Sequence, residues 1–186
     1  MCVRWLFVTL ALAVAVAVVP MTGSGEPGQA GREDCQMATQ LRQLAAIYGS
    51  AELEMITKET GAICVPGTAP RAAIRWPNKQ PLKSSGTWYY PNENPAFSSG
   101  TWRYPNKELA NSSGRWYYPD GNEARSSQGR WTRPDRDVRR LSAVELREWA
   151  CRRAPATECA RLSPTIGEGN TDDEALAAIE LAWMAR

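Results

Sequence analysis

Residues 86–99 read GTWYYPNENPAFSS, residues 100–113 read GTWRYPNKELANSS, and residues 114–128 read GRWYYPDGNEARSSQ. A degenerate copy, AAIRWPNKQPLKSS, precedes them at 72–85, and a truncated one, GRWTRPD, follows at 129–135. Proline sets the register. Pro77, Pro91, Pro105 and Pro119 are spaced by 14, and Pro134 follows by 15, the extra residue falling at Gln128. Repetition at a fixed period marks an array whose units stack on their neighbours. The altered end copies suit capping units: Ile74 stands where later copies have tryptophan, and Arg133 stands where they have tyrosine.

Within a copy the side chains alternate. In a strand, Trp88 and Tyr90 share one face, as do Trp102 with Tyr104 and Trp116 with Tyr118. Tyr89, Arg103, Tyr117 and Thr132 fall on the other. Pro-Asn or Pro-Asp supplies a turn, most clearly in Pro119-Asp120-Gly121, and Ser-Ser-Gly supplies a second. Each unit therefore reads as a short strand, a tight turn and a return strand. Stacking predicts that Trp88, Tyr90, Trp102, Tyr104, Trp116, Tyr118 and Trp131 form the repeat core. Tyr89, Arg103 and Tyr117 are then the candidate partner contacts, because tyrosine and arginine are enriched at binding hot spots. The competing reading is an exposed aromatic ladder that stacks on sugar rings.

The segments GTWYYPN, GTWRYPN and GRWYYPD resemble the MORN-type hairpin repeats, over residues 72–134 only. Those repeats are longer and carry glycine after the turn asparagine. Here only Asp120-Gly121 keeps it, with Lys79, Glu93 and Lys107 at the equivalent positions. The resemblance implies a hairpin array with a scaffold or interaction role, occasionally lipid-associated, and no reaction.

The flanks read as helix, giving an α+β chain with four parts: 1–30, 31–71, 72–134 and 135–186. Arg4 followed by Leu6–Val19, a run of fourteen residues without a charge, reads as an export signal. A bilayer span needs about 20. Cleavage after Ala30 and retention as an anchor both stay open. In 31–71, Met37, Leu41, Leu44 and Tyr48 make one apolar helical face, Gly49-Ser50 breaks it, and Leu53, Met55 and Ile56 begin a second, a helical hairpin. In 135–186, Ser142 and Glu145 fit a capping box, as do Thr171 and Glu174, and Leu176, Ile179 and Trp183 form a stripe.

Beyond the export segment lie four cysteines, Cys35, Cys64, Cys151 and Cys159. An even count in an exported chain favours two disulfides. The simplest of three pairings is Cys35–Cys64 with Cys151–Cys159, each bracketing a local helical segment.

The chain has 22 basic and 20 acidic residues and no histidine. Lacking histidine, it lacks the usual general base near neutral pH and the usual zinc ligand. The Ser-Ser pairs are too regular to be nucleophiles, and no carboxylate pair stands out, so no enzyme, cofactor or metal is expected. Residues 72–134 hold nine basic and four acidic side chains, which makes the array the positive part of the chain. That surplus suits another protein, an anionic envelope polymer or a membrane surface. Nucleic acid is disfavoured by export. The expectation is a structural or interaction subunit of an envelope or membrane-associated assembly, periplasmic or extracellular. The alternative is a carbohydrate- or cell-wall-binding module.

Overall fold

The computed structural model describes residues 27–47, 75–76, 78–135, 140–167 and 171–186. Tyr48, Cys64, Pro77, the second helix expected after Ser50 and the apolar run of the export segment lie outside them. The architecture is α+β, an antiparallel sheet of hairpin-like repeats flanked by helices. Helix α1 is Pro27–Ala46; the strands are β1 Lys83–Ser84, β2 Thr87–Tyr89, β3 Pro95–Ser98, β4 Thr101–Arg103, β5 Leu109–Ser112, β6 Arg115–Tyr117 and β7 Glu123–Arg125; helices α2 Ala143–Cys151, α3 Ala156–Leu162 and α4 Thr171–Met184 follow. The seven strands form one meander in chain order.

Two kinds of turn alternate along it. At the Ser-Ser-Gly turns Ser98 pairs with Thr101 across a two-residue loop. Both loop residues have positive φ, 48° at Ser99 and 75° at Gly100. That is the type I′ geometry, whose twist matches the flanking strands. At the Pro-Asn turns Glu93 N donates to Tyr90 O at 3.0 Å, and Tyr90 N donates to Asn94 O at 2.9 Å. This is a three-residue loop with proline at the second turn position and a left-handed residue before the return strand. The left-handed residue is Lys79, Glu93, Lys107 or Gly121, with φ of 71°, 67°, 75° and 83°. The missing glycines therefore do not change the turn. Three L-residues adopt a conformation that costs each of them about 1–2 kcal/mol.

Copies are joined by side chains reaching one unit ahead. Tyr90 Oη donates to Arg103 O at 2.8 Å, Tyr104 Oη to Tyr117 O at 2.7 Å and Tyr118 Oη to Thr132 O at 2.7 Å. In the degenerate first copy Trp76 Nε1 makes the same bond to Tyr89 O at 3.0 Å. A second ladder runs along the turn tips. Asn78, Asn92 and Asn106 each accept from the backbone two residues on and donate Nδ2 to the carbonyl of Pro91, Pro105 and Pro119. Asp120 accepts in the same way from Asn122 N at 3.1 Å. Its carboxylate cannot continue the donor ladder, and it pairs instead with Arg186 at 3.1 Å.

The array joins the helices through Trp131, which bridges Arg125 on one side and Leu141 on the other. Ser142 and Glu145 make the expected reciprocal capping box at the start of α2. Helix α2 ends at Cys151, and the Cys151–Cys159 disulfide ties it to α3. Cys35 is disulfide-bonded as well.

The helical segments differ from expectation in three details. Helix α1 begins at Pro27, ahead of the first apolar repeat position, so it runs through the segment in which a cleavage site was expected. Thr171 lies inside the first turn of α4 rather than before it. Residues Ala175–Ala182 of α4 are buried on every side, not along one stripe, because α1, α2 and α3 all pack around this helix. Leu41 and Leu44 of α1 are buried, Met37 partly so, and Trp183 is half-buried.

Candidate functional site

The sheet register assigns every repeat side chain to a face. Cross-strand pairs run Lys83–Trp88–Phe97–Trp102–Asn111–Trp116–Arg125, one row on one face. Trp88, Trp102 and Trp116 in this row are buried, as is Trp131, which bridges to Arg125 beyond it, and Tyr90, Tyr104 and Tyr118 are fully buried. Phe97 and Trp102 rings pack with centroids 4.8 Å apart. Cations close the ends of the row: Lys83 Nζ lies 4.8 Å from the Trp88 ring, and the Arg125 guanidinium lies 5.5 Å from the Trp131 ring. Burial, with the carboxylates of Asp120 and Asp135 adding to it, pushes the Tyr118 phenol far above its ordinary range. Tyr118 therefore stays a neutral donor to Thr132 O.

The opposite face carries Tyr89, Arg103 and Tyr117. Both tyrosines are half-buried and Arg103 is exposed. Successive members sit two strands apart, about 10 Å at ordinary strand spacing. Arg75 extends the row by one position; it lies 14 residues before Tyr89 and is also exposed. A comparison of copies at that offset would have found it. Arg75 and Arg103 each donate Nη1 to the carbonyl four residues on, Lys79 O at 2.8 Å and Lys107 O at 3.0 Å. Each arginine is thus steadied by its own turn while the rest of the guanidinium faces outward. On the same face Arg115 approaches Glu123 at 3.8 Å, an exposed pair of small energetic value.

Beside Arg103 lies a shallow depression of about 230 Å³ lined by Pro95, Ala96, Phe97, Ser98, Thr101 and Arg103. Its origin is in the register. Ser98 pairs with Thr101, and one step along Ala96 comes opposite Arg103. By the same step Leu82 and Ala110 come opposite Tyr89 and Tyr117. The Arg103 guanidinium, held at Lys107 O, borders the depression where the neighbouring copies place a tyrosine ring. Repeat arithmetic does not show this depression, because it needs cross-strand neighbours about 7 residues apart as well as those 14 apart.

Among the described residues no group of three or more His, Cys, Asp or Glu side chains could hold a metal ion. No described helix is long and apolar enough to cross a membrane. The described strands form a series of antiparallel hairpin-like pairs, β2–β3, β4–β5 and β6–β7. Compared with models of known families, with curated proteins and with solved structures, the chain matches none.

Proposed function

We propose that this chain is a non-catalytic interaction subunit of an exported, envelope- or membrane-associated assembly. A partner protein docks on the Tyr89–Arg103–Tyr117 face of the repeat sheet. The observation that supports this reading is the split between faces. Tryptophan and tyrosine are spent on the stacked row, while the other face presents half-buried tyrosines alternating with arginine. Half-buried tyrosines, and an exposed arginine steadied by Lys107 O, bind with little ordering cost because neighbours already restrain them. Export rests on the uncharged Leu6–Val19 run alone.

The carbohydrate-binding alternative needs an aromatic ladder open to solvent. With Trp88, Trp102 and Trp116 buried, Tyr89 and Tyr117 are the aromatic rings left to it on the Arg103 face, about 20 Å apart. The proposal is tested by purifying the protein from its native source with partners attached, as wild type and as the Tyr89→Ala/Tyr117→Ala double variant. The double variant is expected to fold and to lose the co-purifying protein. Retention of that protein would count against the face. Quenching of tryptophan fluorescence by soluble glycans, with no co-purifying protein, would favour the alternative.

A further inference from the structure

We infer that the depression beside Arg103 is an anchor pocket for one acidic side chain, Glu or Asp, carried by an extended segment of a partner protein. This rests on the reading of that face as a docking surface and names the chemistry it selects. Size sets the first limit. At about 230 Å³ the pocket is smaller than the roughly 300–1,000 Å³ of small-molecule sites and suits a single side chain.

The lining sets the chemistry. Arg103 uses one N–H on Lys107 O and has no acidic partner among the described residues, so most of its donor fork remains available. Thr101 and Ser98 add hydroxyls at the wall; Ser98 Oγ accepts from Thr87 Oγ1 at 3.2 Å, which leaves its own proton to donate. Pro95, which is exposed, supplies apolar surface against which a methylene stem can lie. A carboxylate satisfies the guanidinium and hydroxyl donors together, and charge-assisted bonds of this kind are the strong ones. Exposed Arg75 adds a second cation on the same face and so draws an acidic partner to it. Tyr89 and Tyr117 flank the pocket at about 10 Å on either side. An extended segment of about six residues would reach from one to the other at 3.3 Å per residue.

The array contains its own controls. The next copy carries Arg115 and Tyr117 where this one carries Thr101 and Arg103. Thr101→Arg and Arg103→Tyr therefore place residues that the same sheet already holds at equivalent sites. Thr101→Arg is the sharper variant, because it adds positive charge while filling the pocket.

The test is binding of poly-L-glutamate to the full chain, compared with polyphosphate and with phosphatidylglycerol vesicles. Wild type is expected to prefer polyglutamate. Arg103→Tyr should weaken that binding at least about tenfold. Thr101→Arg should weaken it too, despite its charge. The pocket is overturned by any of four results: no binding of polyglutamate by wild type, an unchanged affinity in Arg103→Tyr, tighter binding by Thr101→Arg, or equal binding of polyphosphate or vesicles. The docking surface fails separately, if the Tyr89→Ala/Tyr117→Ala variant keeps its native partner. Loss of that partner together with polyglutamate binding unaffected by Arg103→Tyr would leave the surface standing without the pocket.

Discussion

The hydroxyl of Tyr104 donates to the carbonyl of Tyr117, thirteen residues on and one repeat further along the sheet, at 2.7 Å. Tyr104 is fully buried, so this carbonyl has no ready substitute for the bond. Tyr104→Phe keeps the ring and removes the donor. It is expected to lower stability by about 1–2 kcal/mol, read as a lower urea midpoint with unchanged slope. A neutral effect would mean that the ladder follows from stacking and contributes nothing to it.

Tyr118 makes the terminal bond of that ladder, and its elevated pKa has a direction in pH. The folded state prefers the neutral phenol more strongly than the unfolded chain does. The resulting stability is complete below the ordinary tyrosine value of about 10 and is lost as pH rises above it. Stability should therefore fall on the alkaline side, and Tyr118→Phe should show a shallower fall. An identical alkaline profile in the variant would remove Tyr118 as the cause.

Lys107 holds a left-handed conformation, φ 75°, at the position where Gly121 sits in the next copy. Lys107→Gly relieves about 1–2 kcal/mol of backbone cost and adds about 0.5–1 kcal/mol of unfolded-state entropy. A net gain of about 0.5–1 kcal/mol in thermal or urea unfolding is expected. Glu93→Gly should gain less, because Glu93 Oε1 accepts from Gln80 Nε2 at 2.7 Å and glycine removes that bond. Destabilisation by Lys107→Gly would show that its side chain contributes more than the strain.

Glu180 in α4 is 2% exposed and pairs with Arg161 at 2.8 Å, while its Oε2 has no hydrogen-bond partner among the described residues. Burial raises its carboxyl above the ordinary 4.5, against the opposing pull of Arg161. A raised acid contributes stability that is complete below its unfolded value and is lost as pH rises through the folded one. The protein should thus gain stability as pH falls through the raised Glu180 titration toward its ordinary 4.5, and Glu180→Gln should flatten that slope. Arg161→Ala should cost about 1 kcal/mol at neutral pH, a modest figure because the Arg161 side chain is half exposed. The cost should shrink in acid, as chemical denaturation across pH would register.

The Cys151–Cys159 bond closes a short loop of separation 8. Replacing both cysteines by serine should lower stability by about 2–3 kcal/mol by the chain-entropy relation for so short a loop. The array and the helices need not respond together. Loss of helical signal ahead of the tryptophan transition would place the effect in α2 and α3.

The period of 14, the strand–turn–strand unit and the division of faces were all legible in the residues, because proline, glycine and alternation act locally. So were the capping box at Ser142 and the pairing of Cys151 with Cys159. Where the chain reads ahead of itself, local rules run out. Trp76 stands at a tyrosine position because an indole N–H can make the same bond to the next unit. Asp120 replaces asparagine where the donor ladder stops and Arg186, far off in sequence, supplies a charge. Lys79, Glu93 and Lys107 looked like departures from the turn, yet neighbouring strands hold them in the left-handed conformation. The depression beside Arg103 belongs wholly to tertiary structure. Register brings Pro95 and Ser98 of one strand beside Thr101 and Arg103 of the next, and spacing along the chain does not encode which residues meet across a strand.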